Sequence, residues 1–366
     1  RVTVDALRQV ALEDLLGRDP VQLDWEQISA GISGKTVLVT GGAGSIGSEL
    51  CRQIARLQPT TLIVVDQSEY HLYELRMAIN AQFPQLNFYR YLEDVTDRVA
   101  MQRIFRDHKI DVVFHAAAYK HVPMLEAQIR VALRNNVLGT QVIAEAAAAA
   151  NVAKFVLIST DKAVHPGNVM GASKRIAEIF CQNFNTRVST EFITVRFGNV
   201  LGSVGSVVPL FKRQIDQGGP VTVTHPDITR YFMTIPEATQ LILQAMVIGK
   251  GGEIFVLDMG ESIRITDLAK QMIHLAGFVP GEDIEIQFTG LRPGEKLHEA
   301  LFHESELLTE TAHPKILQAR SRVEQWEEFI EKITQMKNLC EEANEEKLAE
   351  LLLQLVPEYH LHRESV

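Results

Sequence analysis

The chain has 366 residues, 46% of them hydrophobic and 22% charged, which excludes a disordered polypeptide and suffices for one large core or two smaller ones. Its 36 basic and 46 acidic residues give a net charge of −10, which argues against nonspecific nucleic-acid binding but leaves room for a local phosphate pocket. No apolar run approaches the length of a membrane span, no signal peptide opens the chain, and the cysteines (Cys51, Cys181, Cys340) form no CxxC pair, so a reduced compartment without disulfides or a metal site is expected.

Residues 1–33 begin with an amphipathic piece, Asp5 to Leu16, followed by GRDPVQLDWEQI, and read as a linker and N-terminal cap. At Lys35 the character changes. The apolar run TVLVT (36–40) leads directly into GGAGSIG (41–47), and Ile46, Leu50, Ile54 and Leu57 then fall on one helical face. TLIVVD (61–66) is a second strand ending in an acid. A strand near 87–92, a helix near 99–107 and a strand at 111–117 follow. A long helical stretch is expected over 124–150, then a strand at 154–159, a helix from about 171 to 185 and a strand at 191–197. Continuously apolar strands alternating with helices predict an α/β fold with a Rossmann-type, doubly wound parallel sheet over 34–198.

Beyond residue 198 the pattern loosens. Short strands are expected at 221–224, 253–258 and 283–288, with helices near 207–217, 236–248 and 266–276. These suggest a smaller α/β, substrate-binding region over 199–305 that covers the carboxyl ends of the strands. Amphipathic periodicity around Trp326, Phe329, Ile330 and Ile333, and again in LAELLLQLV (348–356), predicts a helical tail over 306–366, either a packed cap or an oligomer contact. Histidines His360 and His362 read as solvated tail residues.

The glycine run supplies a cofactor site. Gly41 permits a tight turn, Gly44 lets a pyrophosphate approach the backbone, and Gly47 allows close packing of helix on strand. Ser45 and Ile46 open the helix whose free N–H groups attract phosphate. Asp66 ends the second strand, where an acid holds ribose hydroxyls and repels a 2′-phosphate, so NAD is expected rather than NADP. Asp94 and Val95 follow the third strand, on the adenine side, and Ala116, Ala117 and Ala118 let the cofactor pass close by the fourth.

The chemistry centres on STDKAVHPGNVMGASK (159–174). Short-chain dehydrogenases/reductases carry a YxxxK pair on one helix face, tyrosine as base and lysine on the nicotinamide ribose. Here Lys174 is in place, but Met170 stands where the tyrosine belongs, and a thioether exchanges no proton at neutral pH. Either the site is inactive or the acid–base work has moved. Thr160, Asp161 and Lys162, at the end of a central strand, offer a hydroxyl, an acid and an amine beside it.

The runs TGGAGSIGSEL, AAAYKHVPMLE, STDKAVHPGNVMGASKR, RFGNVLGSVGSVVPLF, TRYFMTIPEA and LRPGEKLHE resemble the nucleotide-sugar 4,6-dehydratases of the CapD/PglF/WbpM polysaccharide-biosynthesis type, over roughly residues 10–305. The methionine and the opening EDLLGRDPV resemble the large, membrane-anchored members, and imply a cytoplasmic catalytic domain at the inner face of the cell membrane, attached through an N-terminal segment. The resemblance implies redox-neutral conversion of UDP-N-acetylglucosamine to its 4-keto-6-deoxy derivative. Hydride passes from C4 to NAD, water is lost across C5–C6, and hydride returns to C6. In that scheme Thr160 polarises O4, Asp161 is the acid for the departing C6 hydroxyl, Lys162 is the base at C5, and Lys174 holds the nicotinamide ribose. Deprotonation of the C4 hydroxyl stays open between Asp161 and Lys162. Substrate contacts are expected from Lys120 and His121 (sugar or diphosphate), Asn199, Arg230 and Arg292 (diphosphate) and Glu295 (ribose hydroxyl). A homo-oligomer, dimer or larger, is expected. A nucleotide-sugar 4-epimerase and an idle NAD-binding regulatory subunit are the competing readings.

Overall fold

A computed structural model describes Leu16 and residues 21–302, 308–319 and 325–359. Most of the expected amphipathic piece at 5–16 and the tail histidines lie outside the described residues.

Helix α1 (Trp25–Ile32) is capped by the Asp24 carboxylate and buries Ile28 and Ile32. Then come β1 (Thr36–Thr40), α2 (Ser45–Arg56), β2 (Thr61–Asp66), α3 (Glu69–Gln82), β3 (Phe88–Leu92), α4 (Arg98–Asp107) and β4 (Val112–His115). The expected fourth strand is shorter than the apolar run: Ala116–Ala118 have left the sheet. The helical stretch expected over 124–150 is broken. It comprises α5 (Val122–Glu126), α6 (Ile129–Leu133), a π-helical turn at Arg134–Leu138 and α7 (Gly139–Ala149). The π turn buries Asn136, whose side chain accepts from Tyr119 N (2.9 Å) and donates to Tyr119 O (3.1 Å) and Ser173 Oγ (2.9 Å). These tertiary bonds hold the widened turn, and periodicity carries no sign of them.

Strand β5 (Lys154–Ile158), α8 (Val169–Asn185) and β6 (Glu191–Arg196) complete the expected alternation. Beyond them lie β7 (Asn199–Val200), α9 (Val207–Asp216), β8 (Val221–Val223), β9 (Thr229–Arg230), β10 (Phe232–Met233), α10 (Ile235–Ile248), β11 (Ile254–Leu257), β12 (Ile263–Arg264), α11 (Ile265–Leu275), β13 (Ile286–Phe288), β14 (Thr309–Glu310), β15 (Ile316–Ala319), α12 (Trp326–Glu341) and α13 (Glu345–Leu355).

Among the described residues one nine-stranded sheet runs β14-β15-β11-β6-β5-β4-β1-β2-β3. Strands β1–β6 and β11 are parallel, and β14 and β15 are antiparallel additions at one edge. The strand expected at 253–258 therefore belongs to the main sheet, beside β6, rather than to the smaller region. Its all-buried pattern fits a sheet covered on both faces. Helix α10 likewise packs on α1 and α2. The smaller region keeps β8, β13, α9 and α11 around their own core of Val208, Phe211, Ile215, Val221, Leu268 and Ile273.

One large core lies under α4–α8 and takes in Phe329, Ile333, Met336, Leu348 and Leu352 of the two terminal helices. Trp326 stacks on Phe184 (12° between planes, 5.8 Å), and the Arg187 guanidinium lies 4.7 Å above its ring. The terminal helices thus cover the face of the sheet that carries α8. The strand order reverses between β1 and β4, and in doubly wound sheets that crevice is where ligands bind.

Candidate functional site

The crevice opens at Gly41–Gly47. Gly41 has φ +62°, and a β-carbon there would meet Ala117 Cα at 2.6 Å and the Ala116 carbonyl carbon at 2.7 Å. A β-carbon on Gly47 would run into the Gly41 carbonyl oxygen. Gly44 is different: its β-carbon would touch only Gly41 O, at 3.4 Å, so the space before it is open. That gap faces the first turn of α2, where a pyrophosphate fits against free N–H groups. Asp66 Oδ2 accepts from Ala43 N (3.0 Å) and Oδ1 from Ser68 N (2.9 Å), so the acid is fixed beside the glycine loop. Asp94 accepts from Thr96 N (2.8 Å) and lies 4.0 Å from Arg134, while Val95 is buried in the core, packed near Gly139. This set fits a dinucleotide.

A cavity of about 920 Å³ runs from this loop to the smaller region. Gly41, Gly44, Ser45, Ile46, Gly47, Ala116, Ala118, Lys120, His121, Thr160, Lys162, Met170, Lys174, Asn199, Arg230, Arg292 and Glu295 all line it. Expected residues distant in sequence are thereby brought together. Asp66, Asp94, Val95, Ala117 and Asp161 are not lining residues.

Thr160–Ala163 leave β5 as a single tight turn, Asp161–Ala163 being 3₁₀. Two bonds anchor it to β6 and beyond: Ser159 N to Val195 O (2.8 Å) and Asp161 N to Phe197 O (3.0 Å). On the other side it packs on α8 at Gly171, where a β-carbon would collide with the Lys162 carbonyl oxygen. Asp161 is 1% exposed and lies behind Thr160 and Lys162. Its Oδ1 accepts from Thr160 Oγ1 (2.9 Å) and Lys162 Nζ (3.0 Å). Its Oδ2 has no hydrogen-bond partner among the described residues and lies 3.2 Å from where a β-carbon on Gly198 would be. The acid expected to face a substrate is thus turned inward, because its two neighbours hold one oxygen and Gly198 leaves room for the other.

Lys162 Nζ also donates to Asn199 Oδ1 (3.1 Å) and lies 3.7 Å from Glu299 Oε1. Burial presses its pKa down, but Asp161 and Glu299 outweigh burial and hold it above the ordinary lysine value. Lys162 rests as an ammonium between two carboxylates.

Lys174 is buried and donates to Ile158 O (2.6 Å). Burial lowers its pKa to about 8, with Glu178 opposing. Glu178 accepts from Ser159 Oγ (2.6 Å) and from Arg196 through Nε and Nη2 (both 2.8 Å), and the arginine charges overcome burial and keep its pKa low. This buried network braces the end of β5 and the first turns of α8. His115, against Lys174, bridges Thr40 Oγ1 (2.6 Å) and Thr140 Oγ1 (2.9 Å); burial lowers its pKa to about 3, so it is a neutral packing group.

Met170 is 4% exposed and is among the residues lining the cavity. His121 packs against Gly205, and burial lowers the pKa of both it and Lys120. Ser45 Oγ accepts from Val204 N (3.2 Å), so the 201–206 loop crosses to the glycine loop.

The expected phosphate ligands are differently engaged. Arg230 donates to the carbonyls of Thr229 (2.7 Å), Leu297 (3.3 Å) and Lys296 (2.8 Å) and pairs with Glu295 (3.5 Å). Its guanidinium organises the loop at 294–299. Arg292 is exposed and pairs with Glu295 at 3.3 Å, so these two meet each other. Asn199 holds Lys162. Sequence reasoning missed Glu299, Lys296, Ser203, Ser206 and Thr222–Thr224. The first two stand in LRPGEKLHE, so the motif marked their neighbourhood but not their partners. Among the described residues, no group of three His, Cys, Asp or Glu side chains is placed to hold a metal, and no helix is long and apolar enough to cross a membrane.

Residues 37–321 match the model of a polysaccharide biosynthesis protein family. The chain belongs to that family. Within it, the capsular polysaccharide biosynthesis protein CapD of Staphylococcus aureus is 50% identical over 319 residues, covering 87% of this chain but 53% of CapD, so the chain spans about half the length of this relative. A protein named UDP-glucose 4-epimerase from Rickettsia bellii is 37% identical over 284 residues, 75% of this chain and 79% of that protein. The X-ray structure of Pen from Bacillus thuringiensis superposes with a TM-score of 0.74 at 34% identity, covering 80% of this chain and 89% of Pen.

Proposed function

We propose that this member of the polysaccharide biosynthesis protein family is a UDP-N-acetylglucosamine 4,6-dehydratase that works with bound NAD. A nucleotide-sugar enzyme of dehydratase or epimerase type is supported by the family and by the epimerase relative. The cofactor is supported by the open space before Gly44 and the fixed Asp66 carboxylate. The observation that carries the elimination is the pairing of Met170 with the Thr160–Asp161–Lys162 turn. The helix position that holds a base in the short-chain pattern is a thioether, and the proton-carrying groups stand on the adjoining strand end.

NAD, when bound, would accept hydride from C4 and return it to C6. The chain's own groups would handle the protons. Thr160 Oγ1 would hydrogen-bond O4. Lys162, facing the cavity, would take the C5 proton once its own ammonium proton has moved to a carboxylate. Asp161 would receive the C4 hydroxyl proton through Thr160 Oγ1 as hydride leaves C4 and would pass that proton to the departing C6 hydroxyl, releasing water, and Lys162 would return its proton to C5 as hydride reaches C6. Lys174 would hold the nicotinamide ribose, and Lys120, His121 and Arg292 would meet the sugar and diphosphate. Arg230 would act through the loop it organises, which carries Glu295 toward the ribose.

An epimerase on this scaffold needs the ketone but no elimination, and retains a use for tyrosine. The test is incubation of the protein with UDP-N-acetylglucosamine without added NAD, followed by NMR of the sugar. A 4-keto-6-deoxy product is expected. A C4 epimer would establish the rival activity, and unchanged substrate would mark an idle subunit.

A further inference from the structure

We propose that Glu299 is a positioning residue for the proton on Lys162: its carboxylate receives the ammonium proton and leaves Lys162 as a neutral amine facing the substrate. The inference rests on the dehydratase reading for its purpose, but not for its chemistry.

Three observations carry it. Glu299 lines the cavity, yet its side chain is only 2% exposed, a costly place for a carboxylate without a task. Its Oε1 lies 3.7 Å from Lys162 Nζ, close enough for a strong charge interaction but beyond a hydrogen bond. Its Oε2 has no hydrogen-bond partner among the described residues; Lys296 Nζ is 4.0 Å away and donates instead to Val164 O at 3.0 Å. Oε1 of Glu299 thus faces the Lys162 ammonium, and Oε2 keeps a free acceptor position.

Asp161 is less suited to the task. Its Oδ1 already accepts two bonds, from Thr160 and Lys162. The charged groups around Lys162 are Asp161 and Glu299, which hold its proton, and Arg230 and Lys296, which oppose it. Moving one proton from Lys162 to Glu299 stays within the cluster and changes no net charge. In that step an N–H bond of Lys162 breaks and an O–H bond on Glu299 forms. The freed amine lone pair then takes the C5 proton.

The test is Glu299→Gln, which keeps the shape and removes the proton acceptor, with Glu299→Asp as the conservative control. Competitive labelling of Lys162 with fluorodinitrobenzene across pH, quantified by mass spectrometry, reads its protonation without any turnover. Thermal melting and bound-NAD absorbance check that each variant is folded. The Lys162 midpoint is expected to fall by one pH unit or more in Glu299→Gln and to return toward the wild-type value in Glu299→Asp. Turnover of Glu299→Gln is expected to drop at least tenfold at pH 7 and to climb with pH as solvent removes the proton. An unchanged Lys162 midpoint overturns the proposal, and so does wild-type turnover in Glu299→Gln at pH 7, because a residue that only lends its charge would move the midpoint without being needed to take the proton. Absence of turnover in the wild-type protein would instead count against the dehydratase reading and leave the midpoint comparison standing.

Discussion

The carbonyl oxygen of Lys162 occupies the place where a β-carbon on Gly171 would lie. The turn that carries Thr160, Asp161 and Lys162 is therefore seated directly on the helix that carries Met170 and Lys174. Neither can shift without the other, and the spacing between Lys162 and Lys174 is set by this contact. Gly171→Ala should push the turn outward, because the obstructing atom is backbone. We expect a loss of about 1–3 kcal/mol in urea unfolding and a fall in turnover larger than that loss of stability explains. Wild-type turnover in Gly171→Ala would show that the seat has no bearing on the chemistry.

Asp161→Asn and Lys162→Met each remove one end of the ion pair at 3.0 Å. Turnover of UDP-N-acetylglucosamine should fall by about 10²–10⁴-fold or more in each, the scale of a lost acid or base. NAD should remain bound, because neither side chain belongs to the glycine loop. Rates measured by NMR alongside cofactor content would separate the two effects, and near-normal rates would remove these residues from the mechanism.

Stability should depend on pH through Lys174. Its pKa is about 8 folded, lowered by burial, against 10.5 for an ordinary exposed lysine. Between those values the unfolded chain binds more protons, so this group's contribution to stability rises with pH from about 8 to 10.5. Below pH 8 both states are protonated and the burial penalty stands in full, on the order of 3 kcal/mol. Lys174→Met should relieve part of it, offset by the lost bond to Ile158 O. The variant should be the more stable protein at pH 7, lose that advantage by pH 10 in urea titrations, and bind NAD more weakly.

The Asp66 carboxylate, held by Ala43 N and Ser68 N, should repel a 2′-phosphate. NAD should bind at least 100-fold more tightly than NADP in calorimetry or fluorescence. Asp66→Ser should cost NAD about tenfold, near 1.4 kcal/mol, and narrow the preference. Tight NADP binding by the wild-type protein would contradict the assignment.

The fold was legible wherever a signal was local. The β1-to-α2 turn, the acid ending β2 and the strands β1, β2, β5 and β6 follow from apolar runs, glycines and helical faces, which act over a few residues. The helix expected over 124–150 failed because its π turn depends on Asn136 finding Tyr119 and Ser173, partners outside any periodic window. Strand β11 was expected, but not its membership of the main sheet, since pairing with β6 and β15 is a choice among edges that a short apolar run leaves open.

By itself the sequence determined which chemical groups the protein owns and set the expectation of where a dinucleotide's phosphates go: the glycine spacing, the Thr160–Asp161–Lys162 triplet and the methionine at 170 are covalent facts read in order. Only the tertiary structure decided how those groups are charged and which way they face. Asp161 turns inward because Thr160 and Lys162 share one of its oxygens. Arg230 serves backbone carbonyls at Thr229, Lys296 and Leu297. Glu299, far along the chain, comes to 3.7 Å from Lys162. The physical reason is that protonation depends on burial and on the nearest charges, and both are properties of neighbours in space, not of neighbours in the chain.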